Sequence, residues 1–352
     1  MSSAPIQIRG RGAAENPPNR FERIEVVADV DAYDPDDPGP KTVFLRDPAK
    51  TLIVKNDSPD VSFDYGINPY RGCEHGCAYC FARPTHEYLG FSAGLDFETK
   101  ILVKEDAPEI LRRELSARGW KGDAVGLSGV TDPYQPVERK LGLTRRCVEV
   151  LAEFRNPVAV ITKSHTVTRD ADLYAELARH DAAKVFISIT SLDAELQRVL
   201  EPRASTPARR LEAIAKLADA GVPAGVLIGP VIPGLNDHEI PAILAESARA
   251  GARFASYVAL RLPHGLKELF TGWLERHYPD RKDRVLNRIR EMRGGELYDA
   301  RFHARGRGEG VYADHLESLF RVARRKAGIP ETFEPLSSAA FRKPAGPQLG
   351  LF

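Results

Sequence analysis

The sequence predicts an α/β fold in which parallel strands alternate with helices, and three observations carry that expectation. From Val61 onward, short β-branched runs alternate with amphipathic stretches of about ten to fifteen residues, the pattern of repeated βα units. Several of those stretches open on helix-start signals such as Asp106-Ala-Pro and Ser205-Thr-Pro. At 352 residues and 43% hydrophobic, the chain is large enough to bury a core without disulfides. Right-handed crossovers then give a parallel sheet, either open or curled into a full or partial barrel, and periodicity does not separate those forms.

Residues 1–60 read as an N-terminal extension, partly flexible, because Arg9-Gly10-Arg11-Gly12, Asn16-Pro17-Pro18-Asn19 and the acidic, proline-rich stretch 29–38 offer little that packs alone. Residues 61–265 hold the alternation. Strands are expected at Val61–Asn68, Lys100–Lys104, Ala124–Leu127, Val158–Thr162, Val185–Ile189, Ala224–Ile228 and Ala255–Leu260, each a short apolar run. Helices are expected at Glu109–Arg118, Thr144–Phe154, Asp170–Arg179, Ala208–Ala220 and Asp237–Ala250. Residues 266–335 turn helical and basic, through Leu266–Arg276, Lys282–Arg293 and Tyr312–Ala327. Arg281, Lys282, Arg284, Arg288, Arg290, Arg293, Arg301, Arg305 and Arg307 make this stretch either a polyanion-facing surface or a solvated helical face. Residues 336–352 read as a flexible tail.

Fifty basic and 49 acidic residues leave a net charge of +1, so any polyanion site must be local. No apolar run approaches a membrane span and the first ten residues lack the core of a secretory signal, so a cytoplasmic location without membrane contact is expected. In that reducing compartment clustered cysteines hold metals more often than they form bridges.

Three of the four cysteines lie within eight residues, Cys73-Glu-His-Gly-Cys77-Ala-Tyr-Cys80, just beyond the first strand of the alternating region. A structural zinc site or an electron-transfer iron–sulfur cluster closes with four protein ligands, whereas three leave a corner free for chemistry. Gly72 and Gly76 permit the turns that wrap three corners of a cubane, and Tyr79 and Phe81 are candidates to shield it. The alternative is zinc completed by His75 or His86, against which stands the lack of a second Cys-x2-Cys knuckle. Cys147 shares a helical face with Leu143, Val150 and Leu151 and reads as core.

Cys73-x3-Cys77-x2-Cys80, with aromatic Tyr79 before the last cysteine, resembles the cluster loop of the radical S-adenosylmethionine (SAM) enzymes. The resemblance implies a [4Fe–4S] cluster on the three thiolates, SAM on the fourth iron, a reducing partner such as flavodoxin or ferredoxin, and cleavage to a 5′-deoxyadenosyl radical. Ser128-Gly129-Val130-Thr131-Asp132 followed by Thr162-Lys163-Ser164 is similar to the spore photoproduct lyase-like branch, over roughly Val61 to Pro263. That likeness implies a partial (βα)6 TIM-type barrel and a lyase-like activity on damaged DNA. The other readings are modification of RNA or protein, and a metal-stabilised scaffold without catalysis.

A SAM pocket needs an ammonium acceptor, a cation for the carboxylate, polar groups for the ribose and an apolar slot for adenine. The candidates at successive strand ends are Tyr79, Ser128, Thr131, Asp132, Lys163 and Ser188, with Ile228 as adenine wall and Arg209 as carboxylate fork. Gly129 stands where photoproduct lyases carry a hydrogen-donating cysteine, which leaves Tyr134 and Tyr257 as candidate donors. The last residues, Gln348-Leu349-Gly350-Leu351-Phe352, resemble the peptide that docks bacterial repair proteins on the DNA sliding clamp, a glutamine setting register and three apolar side chains filling a cleft.

Overall fold

The structure, a computed structural model, describes residue 8 and residues 10–22, 40–61 and 63–344. Gln348, Leu349, Leu351 and Phe352 lie outside the described residues, as does the acidic stretch 29–38.

In chain order the strands are β1 (Val43–Arg46), β2 (Ile53–Lys55), β3 (Tyr65–Ile67), β4 (Tyr70–Arg71), β5 (Lys100–Val103), β6 (Val125–Leu127), β7 (Val158–Thr162), β8 (Ala183–Ser188), β9 (Ala224–Val231) and β10 (Phe254–Ala259). A seven-stranded sheet runs β10-β9-β8-β7-β6-β3-β2. Its members from β3 to β10 are parallel and β2 adds an antiparallel edge. Helices Leu143–Phe154, Ala171–Ala178, Pro207–Asp219 and Ile240–Arg249 return the chain between strands, as expected for a partial (βα)6 barrel.

One expected barrel strand belongs elsewhere. β5 pairs with β1 and β4 in a separate three-stranded sheet, because the connection from β3 to β6 is long enough to build its own layer. That connection carries the cysteine loop. The first strand is also shorter than the expected 61–68, spanning Tyr65–Ile67, where it pairs with β2 as far as the Asn56 N–H bond to the Asp64 carbonyl (2.6 Å).

Register decides which residues look inward, since paired residues of a parallel sheet share a face and neighbours alternate. One face carries Gly126, Ala159 and Lys184, then Ile161, Phe186, Gly225 and Phe254, then Ser188, Leu227 and Ser256. The other carries Val160, Val185, Val226, Ile228 and Tyr257, and shares a buried core with helix residues Leu151, Leu177, Leu217, Leu244 and Phe320. Helices Leu266–His277 and Pro279–Glu291 form a second core, in which Trp273, Phe270 and Leu286 pack with Cys77, Ala78 and Tyr79 of the cysteine loop.

Part of the expected tail is a strap. Ser337 N–H donates to Asp181 O (2.9 Å), Arg342 N–H to Phe154 O (2.9 Å) and Lys343 Nζ to Ala117 O (2.6 Å), all at turns that enter strands. Just before it, Phe333 closes the lower end of the barrel against Phe254 and Phe186, with ring centroids 5.0 and 6.2 Å away.

Candidate active site

The cysteine loop leaves β4 through Gly72 (φ +78°) and turns again at Gly76 (φ +66°). A Cβ on Gly72 would lie 2.9 Å from Phe97 O, and one on Gly76 2.7 Å from the Glu98 carboxylate, so both the dihedral and the space demand glycine. Backbone bonds set the thiols: Cys73 N–H donates to Phe97 O (2.9 Å), Ala78 N–H to Leu200 O (3.0 Å) and Cys80 N–H to Cys77 O (3.3 Å). Beneath the loop the fully buried Arg83 guanidinium donates to Cys77 O (2.8 Å) and Gly94 O (2.8 Å) and pairs with fully buried Glu98. Glu98 also accepts from the N–H groups of Gly12 (3.1 Å) and Ala13 (2.8 Å). Residues 1–60 were expected to pack little alone; residues 10–22 instead pack on the cysteine loop.

Cys73 and Cys77 are buried and Cys80 is half-buried. Burial pushes the Cys77 thiol well above its ordinary value, with Glu201 and the other two cysteines adding to it. Burial and Cys73 raise Cys80 to about 11. Thiols held as Cys77 and Cys80 are become thiolate ligands only beside a compensating positive charge, which a [4Fe–4S] cluster supplies. The donor set therefore fits that group. The fourth cysteine, Cys147, is buried in the helix-side core with Val148 and Leu151, as expected. Of the two histidines of the zinc alternative, His86 is engaged elsewhere and His75 lies against both Asp132 and Cys73. His86 Nε2 is 2.9 Å from Lys100 O, between the rings of Phe91 and Phe97. His75 Nδ1 lies 3.3 Å from Asp132 Oδ2 without a directed hydrogen bond. Burial opposes charge on His75, but Asp132 and Cys73 outweigh it and raise the imidazole to about 10.

The loop after β6 fastens this arrangement. Thr131 Oγ1 donates to Gly72 O (2.6 Å), Gln135 Oε1 accepts from Glu74 N–H (2.9 Å), and Ser128 Oγ donates to Thr131 O (3.3 Å). Asp132 accepts from Tyr134 N–H (2.9 Å), Thr162 Oγ1 (2.7 Å) and Lys163 N–H (2.8 Å). Burial works against its charge, yet His75 and these bonds hold its carboxyl below the usual range. Thr131 and Asp132 thus brace the loop.

Above the aromatic layer the barrel turns polar. Lys163 Nζ donates to Ser188 Oγ (2.6 Å) and Gly229 O (3.0 Å) and stands 5.7 Å from the Tyr79 ring. Tyr79 OH donates to Glu201, and Thr190 Oγ1 lies within hydrogen-bond distance of both Glu201 (2.6 Å) and Gly229 O (2.9 Å), with one proton to give. Fully buried Arg210 pairs with fully buried Glu201 and donates to Ser188 O (3.0 Å) and Ser205 O (2.7 Å). The network joins the cysteine loop to the ends of three strands.

Four expected site residues are placed elsewhere. Ile228 is one residue out of phase with the interior and packs on the helices; Leu227 and Gly229 take the inner face. Arg209 lies on the exposed side of its helix with Glu212 and His165, while its neighbour Arg210 turns inward. Tyr134 is buried with its hydroxyl bonded to Asp170 (2.9 Å) and Tyr174 (2.7 Å), and burial pushes its phenol well above the ordinary value, Tyr174 and Asp170 contributing. Tyr257 is buried on the outer face, 4.8 Å from Phe320 and beneath Arg307. Glu201 and Arg83 escaped sequence reasoning. The one signal was the Arg209-Arg210 doublet, whose inward member a helical phase of one residue decides.

Against known proteins, the family model of the radical SAM superfamily matches residues 67–246, slightly more than half of the chain. An uncharacterized protein of Mycobacterium tuberculosis is 38% identical over 232 residues, covering 65% of this chain and 67% of its own. Spore photoproduct lyase of Bacillus subtilis is 28% identical over 199 residues, 53% of each chain. The solved structure of a spore photoproduct lyase complexed with a dinucleoside spore photoproduct superposes with a TM-score of 0.55 at 19% identity, over 81% of this chain and 78% of that one, and so shares the fold. Three cysteines on a glycine-bent loop at the carboxyl edge of a partial barrel, within a matching span of more than half its length, make this chain a member of the radical SAM superfamily.

Proposed function

We propose that the protein is a radical SAM enzyme acting on nucleic acid, with a damaged base in DNA as the leading substrate. The observation that carries the catalytic part is the meeting of the cysteine loop, through Cys77 and Tyr79, with the inward polar layer of Lys163 and Ser188. The three thiols would hold a [4Fe–4S] cluster, which on reduction supplies the electron that cleaves SAM to methionine and a 5′-deoxyadenosyl radical. Lys163 is the cation for the SAM carboxylate or ribose, and Ser188 holds its ammonium in place. Tyr79 is fixed by Glu201 as a wall of the pocket. Thr131 and Asp132 keep the loop at its working distance from the strands. Residues 10–22 and helix Leu266–His277 cover the loop from outside and exclude water.

The DNA part rests on likeness to spore photoproduct lyase. One difference bears on it. Gly129 is exposed, with open space around a Cβ built there, so a hydrogen donor must come from another residue or from solvent.

The test is anaerobic reconstitution, reduction and incubation with SAM, followed by chromatography for 5′-deoxyadenosine, alone and with ultraviolet-damaged DNA or RNA. The expected result is 5′-deoxyadenosine from the native protein, stimulated by damaged DNA, and none from Cys77→Ala, which also loses iron. Equal product from Cys77→Ala overturns the cluster assignment; stimulation by RNA alone overturns the DNA assignment.

A further inference from the structure

Beside the cysteine loop the barrel rim carries exposed rings backed by arginines. Phe81, the residue after Cys80, is 44% exposed, and Arg261 Cζ stands 4.6 Å from its centroid. Phe302 is 50% exposed, with Arg305 Cζ 4.4 Å from its centroid. The two stacks share one surface. Buried Arg293 donates from a single nitrogen to Leu260 O (3.0 Å), adjacent to Arg261, and to Arg305 O (2.9 Å).

This surface has features that its own fold leaves unsatisfied. Arg261 Nε is buried without an acceptor. Burial and, after it, the charge of Arg305 hold Arg261 below the ordinary arginine value, although Tyr298 opposes them. Next to Phe302, His303 is held at φ +64°, ψ −56°, a region costly for any residue with a Cβ, and its N–H is anchored on Asp60 (2.6 Å). The strained turn keeps Phe302 facing solvent. Further along the rim Phe21 stacks on Tyr88 at 5.0 Å, the pair 56% and 73% exposed.

We propose that this rim binds single-stranded polynucleotide, with a phosphate on Arg261, beside Arg305 that is itself paired with Asp60, and unstacked bases on Phe81 and Phe302, which brings a neighbouring base to the mouth beside Cys80. The proposal rests on the mouth being the reaction site. Flat rings spaced by arginines match a strand that alternates π faces with phosphates. An acidic peptide answers the arginines but leaves the rings uncovered.

The experiment measures fluorescence anisotropy of the full-length, reconstituted protein with labelled single-stranded DNA, the same sequence as RNA, and its duplex. Single strands are expected to bind more tightly than intact duplex, the two single-strand arms deciding the sugar. Phe302→Ala should weaken single-strand binding roughly 5- to 100-fold, as the loss of one stacked base does. Arg261→Gln should weaken it and flatten the salt dependence by about one unit of log–log slope. Melting temperature checks that each variant folds. Unchanged affinity in both variants overturns the proposal, as does equal binding of duplex, or displacement by polyglutamate at equal charge. Native protein that forms 5′-deoxyadenosine yet binds no oligonucleotide sinks this surface alone. Binding without 5′-deoxyadenosine sinks the enzymatic reading and leaves the surface standing.

Discussion

Arg209 and Arg210 are adjacent and chemically identical, yet one lies in solvent and the other holds the floor of the site. The difference is a rotation of about 100° around the helix axis. Removing the partner of a buried charge costs more than the pair itself contributes, so Glu201→Gln should lower stability by about 3–5 kcal/mol, read as a drop in denaturation midpoint. Burial disfavours the Glu201 charge, but Arg210 and then Lys163 outweigh it and lower the carboxyl from 4.5 to about 2. Its folded value lies below the unfolded one, so its stabilisation is complete above about pH 4.5 and is lost as pH falls toward 2. Melting the native protein and Glu201→Gln at pH 7 and pH 3 should show a smaller acid-induced loss in the variant. At this scale candidate residues were legible where their type was distinctive, as with the cysteines and Lys163. Partners such as Glu201 were not, because nothing local distinguishes a buried carboxylate from a surface one.

Elements depend on phase as much as on composition. The strand expected at Val158–Thr162 is found there, and β9 contains the expected Ala224–Ile228, because apolar β-branched runs between turn signals have few other uses. The same run reads alike whichever parity faces the barrel, which is why Ile228 was assigned to the wrong face while Lys163 and Ser188 were not. The segment 10–22 makes the converse point, being too polar and proline-rich to predict order yet fitted against the cysteine loop. A Cβ on Gly12 would come 1.8 Å from Gly76 O. Gly12→Ala must therefore push segment 10–22 off the loop. The expected outcome is a loss of about 1–3 kcal/mol, the usual cost of overpacking, seen in thermal melting together with faster bleaching of the cluster absorbance in air.

For the whole molecule, closure comes from segments remote in sequence. The C-terminal strap and Phe333 seal one end of the barrel, and helix Leu266–His277 backs the cysteine loop at the other, its Trp273 Nε1 donating to Val199 O (3.0 Å). Phe333→Ala removes a half-exposed ring from the Phe254 stack and should cost about 1–2 kcal/mol, measured in urea with the slope unchanged. The basic helices bear less free charge than their composition suggests. Arg288 pairs with Glu291, Lys282 with Glu275, Arg301 with Asp299 and Arg305 with Asp60. By itself the sequence determined the α/β class, nearly every strand and helix of the core, and the three-cysteine loop. These are encoded locally, in periodicity and in residue types that have few alternative roles. Only the tertiary structure decided which strands share a sheet, which face looks inward, that Arg210 and not Arg209 supports the candidate site, and that segments 10–22 and 337–343 pack on the barrel. Each of those outcomes is settled by packing between segments far apart in the chain, where the free energy of burial acts and local sequence carries no record of the partner.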